Sequence, residues 1–218
     1  MRILFSTTRV RFSCLLAAML LCLAGGCSRR QADVPTSNVR EITDGAGRKI
    51  AVAANPQRII SLAPNLTEIL FALGLGDRVI GVTSYCDFPA EAKSKEKVGD
   101  TLHPNLERII ALKPDLVLIT TSSQLEVIAR QLDQLSIPVF VTNPRNVREV
   151  IASIRALGDL SSASVKANEI AGEMERRIGD VERRVKDWPK PRVLYVLQTG
   201  PLISAGRNTF INDLIELA

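Results

Sequence analysis

From Arg58 to Leu157 the chain repeats one pattern four times: a short apolar run, a polar break, then a segment with apolar residues at helical spacing. The apolar runs are Arg58–Leu62, Arg78–Val82, Leu116–Thr120 and Pro138–Val141. They are strand-length, and Pro, Gly or polar residues bound them. Strands that alternate with helices at this spacing imply βαβ units and a parallel sheet. Asn65 is the expected N-cap of the first helix, with Glu68 completing a capping box, and Gly74 stops it. The next helix is expected over Asn105–Leu112, ended by Lys113-Pro114. Leu125, Ile128, Leu132 and Leu135 give a third, over Leu125–Leu135. The fourth is Val147–Leu157, capped by Asn146 and followed by Gly158. Ahead of the repeat, Val39–Val52 reads as a β-hairpin turning at Asp44-Gly45-Ala46-Gly47.

Ser161–Trp188 breaks the rhythm. Ala167, Ile170, Ala171, Met174, Ile178, Val181 and Val185 form one apolar stripe, and charged residues fill the other faces. A helix over 163–187 is roughly 37 Å long, too long for a crossover in a small sheet. It either links two lobes or lies solvated along one; the pattern allows both. After Pro189–Pro191, Arg192–Leu197 reads as a strand, Gln198–Arg207 as a Gly-containing loop, and Asn208 as the cap of a last helix, Phe210–Leu217. One strand and one helix do not make a core. The expectation is therefore an α/β protein: a parallel-sheet lobe at 39–160, a linking helix at 161–188, and at 189–218 the start of an incomplete second lobe.

The N-terminus has a different logic. Arg2, Arg9 and Arg11 precede an almost wholly apolar run, Phe12–Ala24, and then Gly25-Gly26-Cys27. A basic region, a short apolar region and small residues make a secretory signal over residues 1–26. The run is shorter than the roughly 20 residues that a membrane span needs. Leu23-Ala24-Gly25-Gly26-Cys27 resembles a bacterial lipobox, which makes Cys27 the lipidation site and residues 27–38 a polar tether. Ordinary secretion with nearby cleavage is the alternative. Either way the chain is expected in the periplasm or cell envelope, lipid-anchored to a bacterial membrane in the first case. Cys14 and Cys22 leave with the signal, so Cys86 alone remains in the folded part. It is expected to be buried or paired outside the chain, and less readily a metal thiolate.

Composition narrows the function. Without those three arginines, 25 basic residues face 23 acidic ones, which is no footprint for nucleic acid. Aromatic residues make up 4%, too few for a base-stacking surface. One His argues against multi-His metal sites and against a Ser-His-Asp triad. Gly74, Gly76 and Gly81 follow a helix and not a strand, so they are no dinucleotide fingerprint. P-loop, GxSxG and HExxH motifs are missing from the sequence. The expectation is a binding protein, not an enzyme, with no metal site and no cofactor of its own.

Residues 58–74 (RIISLAPNLTEILFALG), 77–83 (DRVIGVT), 85–92 (YCDFPAEA), 105–117 (NLERIIALKPDLV) and 204–218 (SAGRNTFINDLIELA), in this order, resemble the iron-siderophore and vitamin B12 periplasmic-binding family. The resemblance runs from about residue 40 to the C-terminus. It implies a solute-binding protein, expected as a monomer, that delivers a ligand to an ABC importer. It also implies two α/β lobes joined by one long helix, which selects the linking role for 161–188. Family members continue past the position of Ala218, so a truncated remnant that binds nothing is a separate expectation. The YCDFP segment and the closing helix look most like cobalamin-binding members, with haem or a ferric siderophore as alternative ligands. Thr101-Leu102-His103 leaves the loop before the NLER helix without an aromatic residue. By the same resemblance, Glu107 docks on arginines of the membrane permease.

In parallel sheets ligands sit beyond the carboxyl ends of the strands. That places Pro64 and Asn65, Ser84 and Tyr85, Thr121 and Ser122, and Asn143 and Pro144 on one rim, with Thr199 and Gly200 facing them from the second lobe. Tyr85 offers a ring for a flat macrocycle and a hydroxyl for a peripheral amide, or else is a core residue at the loop base. Asn65 serves the ligand, or only its helix. His103 ligates a haem iron or cobalt, or is simply solvated.

Overall fold

The computed structural model describes residues 39–121 and 123–218. The expected signal at 1–26, Cys27, the tether and Ser122 lie outside the described residues. β1 (Val39–Thr43) and β2 (Lys49–Ala53) form the antiparallel hairpin. β3 (Ile59–Ser61), β4 (Val79–Val82), β5 (Glu96–Lys97), β6 (Leu116–Thr120) and β7 (Val139–Thr142) form one parallel sheet in the order β5-β4-β3-β6-β7. The chain winds one way from β3 through β4 to β5. It then returns to pair β6 against β3 and winds the other way. The switch point lies where Ile59–Ser61 pairs with Leu116–Leu118.

Both faces of the sheet are covered, which explains why its strands read as unbroken apolar runs. On one face Ile59, Leu116, Leu118 and Phe140 pack under Leu66 and Leu70 of α1 (Pro64–Ala72) and Ile154 and Leu157 of α4 (Val147–Leu160). On the other, Ile60, Val117, Ile119 and Val139 pack under Ile109 of α2 (Leu106–Ala111) and Ala129 and Leu132 of α3 (Ser123–Gln134). Each such buried aliphatic side chain contributes about 1.5–3 kcal/mol.

Helix α5 (Ser164–Val185) runs for 22 residues. Its first half packs on α4 through Ala167 and Ala171, both fully buried. α6 (Phe210–Leu217) brings Leu217, together with Met174 and Ile178 of α5, to the buried cluster of Val147, Ile151 and Ala171. The Asp213 carboxylate of α6 accepts from the backbone N–H of Val147, the first residue of α4, at 2.8 Å. The hairpin turn docks on the edge strand β7. Gly45 N–H donates to Val141 O at 2.7 Å, and a Cβ at Gly45 would lie only 2.8 Å from that oxygen. The buried Asp44 carboxylate holds the turn, accepting from Ala46 N, Arg48 N, Arg48 Nε and Val141 N. An edge strand that would otherwise offer free backbone groups is thereby covered.

Four local expectations are corrected, and one strand was not anticipated. α1 starts two residues early, with Ala63 as its N-cap and Pro64 in the first turn, so Asn65 caps nothing. Proline's fixed φ suits a first helical position, and it overrides the capping preference of the next residue. Gly158 does not end α4 but sits inside it, facing α5. The short edge strand β5 lies in a stretch with no apolar alternation. The region expected as strand 192–197 and loop 198–207 is instead a hairpin of β8 (Val196–Thr199) and β9 (Leu202–Ser204). Thr209, not Asn208, caps α6, its Oγ1 accepting from Asn212 N; Asn208 takes a left-handed φ of 62° just before it.

Candidate functional site

The carboxyl ends of the parallel strands open onto one rim, at the switch point where α/β sheets bind ligands. At the end of β3 stand Pro64, half-buried, and Asn65, exposed. They open α1, whose first-turn N–H groups have no partner within the helix. At the end of β4, Ser84 and Tyr85 are both exposed, Tyr85 to 63%. Tyr85 is therefore not a core residue. At the end of β6, Thr121 donates from Oγ1 to Asn143 Oδ1, beyond β7, at 2.7 Å. Ser84 N–H donates to Gly99 O at 2.9 Å, which ties the β4 and β5 ends together.

Thr199 and Gly200 lie at the turn between β8 and β9, also exposed. Among the described residues, neither makes a hydrogen bond to the rim, and Gly200 O accepts from Gln198 Nε2. The structure thus brings together the rim residues at 63–65, 84–85, 121 and 143–144, and does not bring Thr199 and Gly200 to them.

The loop after β4 is anchored from below. The thiol of Cys86 is free and buried, 3.2 Å from Thr67 Oγ1 and 3.1 Å from Thr83 Oγ1. Thr67 Oγ1 also bonds Ser61 Oγ at 2.9 Å. Sequence reasoning missed this network, and also Phe88, which is 66% exposed in the same loop. An aromatic residue standing just before a proline in a polar loop was the available signal for Phe88.

His103 lies in the loop between β5 and α2, where the Asp100 carboxylate accepts from the backbone N–H of Leu102 and His103. Its ring is largely exposed, with Nδ1 3.4 Å from Asp100 Oδ2. Backbone donation from His103 holds the Asp100 carboxyl below its ordinary range, with the Leu102 N–H and the imidazole adding to it. Among the described residues, no group of three His, Cys, Asp or Glu side chains is placed to hold a metal ion. No described helix is long and apolar enough to cross a membrane.

Glu107 sits in the first turn of α2, exposed and with no ion-pair partner among the described residues. Asn105 caps that helix by accepting from Arg108 N at 2.9 Å. Arg108 is committed elsewhere, to Glu96 and to Lys97 O. The arrangement presents one free carboxylate on a fixed helical turn.

Residues 59–218 match the periplasmic binding protein family. An ABC transporter substrate-binding lipoprotein of Bacillus subtilis is 34% identical over 93% of this chain and 68% of its own length. A vitamin B12-binding protein of Pectobacterium atrosepticum is 33% identical over 77% of this chain and 62% of its own. Among solved structures, the periplasmic vitamin B12 binding protein of Vibrio cholerae superposes with a TM-score of 0.67 at 29% identity, over 74% of this chain and 64% of that one. The chain therefore spans a little under two thirds of the two B12-binding proteins. The match starts at β3 and runs through the five-stranded sheet, the long helix and α6. With its switch-point rim and its helix order, the chain belongs to the periplasmic binding protein family.

Proposed function

We propose that the protein is an extracytoplasmic solute-binding protein that holds a large chelate at this rim and delivers it to an ABC importer. The ligand class we assign is a cobalamin or related corrinoid. One observation carries the reading: an exposed tyrosine, Tyr85, stands on an anchored loop at the carboxyl end of β4. A macrocycle needs a broad flat contact and a few directional hydrogen bonds, not catalytic groups. Tyr85 supplies the face. Ser84, Thr121, Asn143 and the first-turn N–H groups of Asn65 and Leu66 supply polar contacts for peripheral amides. Ser122, Thr199 and Gly200 complete the candidate set. The similarity to B12-binding proteins supports the same ligand class.

In this proposal residues 39–160 form the first lobe, 161–188 the linking helix and 189–218 the start of a second lobe. Residues 1–26 are the export signal, Cys27 carries the lipid, and 27–38 tether a monomer to the membrane. Glu107 is the permease contact, since a free carboxylate on a rigid turn suits a guanidinium partner.

Isothermal titration with cyanocobalamin, haemin and ferrichrome tests the ligand class. We expect cyanocobalamin to bind and Tyr85→Ala to weaken it about tenfold, in line with an aromatic contact of order 1–1.5 kcal/mol. Haemin or ferrichrome binding without cyanocobalamin binding would replace the ligand. Binding of none of the three would sink the reading.

A further inference from the structure

Lys97 lies in the short edge strand β5, yet it makes no ion pair among the described residues. Its ammonium donates instead to two backbone carbonyls, Cys86 O at 3.3 Å and Ala92 O at 3.1 Å. Cys86 is thus held three ways. Its carbonyl is held by Lys97, its N–H by Thr83 O at 3.1 Å, and its buried thiol by Thr67 of α1 and Thr83. The residues on either side of this anchored point behave oppositely. Tyr85, Asp87 and Phe88 are all exposed, and the two aromatic rings are among the most exposed apolar groups before residue 160.

We propose that Lys97 and Cys86 are positioning residues of the ligand rim: they clamp the β4–β5 loop from beneath, so that Tyr85 and Phe88 stand as a fixed aromatic lip. The inference rests on the ligand reading above and adds to it how the contact surface is held before the ligand arrives. A charged donor on two carbonyls is stronger than a neutral one. A lip held in place before binding spares the ordering cost that a mobile loop incurs at association. Phe88 joins Tyr85 as a second aromatic contact. The ligand surface is then a pair of rings flanking one buried cysteine.

The test uses Lys97→Met, which keeps the aliphatic stem and removes the donors, with Lys97→Arg as the conservative rescue. The first readout is the rate at which iodoacetamide labels Cys86 in the folded protein, resolved by peptide mass. Clamp loss is expected to speed labelling at least tenfold at unchanged Tm, and Lys97→Arg to restore the slow rate. Labelling requires the buried thiol to reach solvent, so acceleration reports loop opening. The second readout is cyanocobalamin affinity, expected to fall about fivefold in Lys97→Met, with little further loss when Tyr85 and Phe88 are both already alanine. Unchanged labelling in Lys97→Met overturns the clamp. So does an affinity loss that is equally large in the Tyr85→Ala/Phe88→Ala background. Accelerated labelling in a protein whose wild type binds no cyanocobalamin supports the clamp and overturns the ligand reading instead.

Discussion

Two glycines on neighbouring helices should respond to the same substitution with opposite signs. Gly158 lies inside α4, where a Cβ would stand 2.2 Å from Ala167 Cβ of α5 and 3.2 Å from Ala163 O. Ordinary contact between such carbons needs about 3.5–4.0 Å. Neither neighbour is the flexible end of a side chain, so the helices must part by more than an ångström. Overpacking of this kind costs about 1–3 kcal/mol, and a clash this close sits at the upper end. Ala returns about 1 kcal/mol of helix propensity. The net expectation for Gly158→Ala is a loss of about 2 kcal/mol, or roughly 4–8 °C in Tm for a domain of this size. Gly172 lies in α5 with nothing within 4 Å of its added Cβ. There only the propensity acts, and Gly172→Ala should gain about 1 kcal/mol, roughly 2–4 °C. Urea unfolding of both variants beside the wild type measures the pair. A neutral or stabilised Gly158→Ala would refute the packing of α4 on α5 that places the long helix.

Asp213→Ala should cost about 1 kcal/mol, because it strips the acceptor from the Val147 N–H at the start of α4; Asp213→Asn, which keeps an oxygen, should cost less in the same urea series. Glu175 bonds both terminal nitrogens of Arg155 across α4 and α5, at 2.8 and 2.9 Å. That bonding lowers the folded-state pKa of Glu175 below the ordinary glutamate range. Its contribution is therefore full above that range and is lost as pH falls through the folded-state value. Glu175→Gln should lower stability across the neutral-to-basic range and converge on the wild type at low pH, which flattens the acid limb of a stability–pH profile. Glu107→Lys should leave cyanocobalamin affinity unchanged and abolish most ligand uptake by cells; unimpaired uptake would remove Glu107 from the permease contact.

The parallel sheet was legible because its strands are buried on both faces and therefore read as apolar runs. The same periodicity marked α2, α3, α4 and α5 to within a few residues. What failed to show was set by tertiary contact. Gly158 looks like a helix stop because glycine commonly is one, and only the approach of Ala167 gives it another role. β5 has two residues, Glu96 and Lys97, and only pairing with Gly81 and Val82 makes them a strand. The hairpin of β8 and β9 is exposed on both strands, so it carries no burial pattern to read. At the rim, the strand ends were legible and the loop anchor was not. Thr67, Thr83, Cys86 and Lys97 meet from three separate elements, and no local spacing announces that.

The central claim is that the carboxyl-end rim of the sheet is where the ligand sits. Hydrogen–deuterium exchange with and without cyanocobalamin tests it most directly. The account predicts slowed exchange at the amides of Asn65, Leu66, Ser84 and Tyr85. It predicts no change at the opposite end, where Gln57 and Arg58 donate to the Asp115 carboxylate. Protection at Gln57 and Arg58 with none at Ser84 and Tyr85 would contradict it.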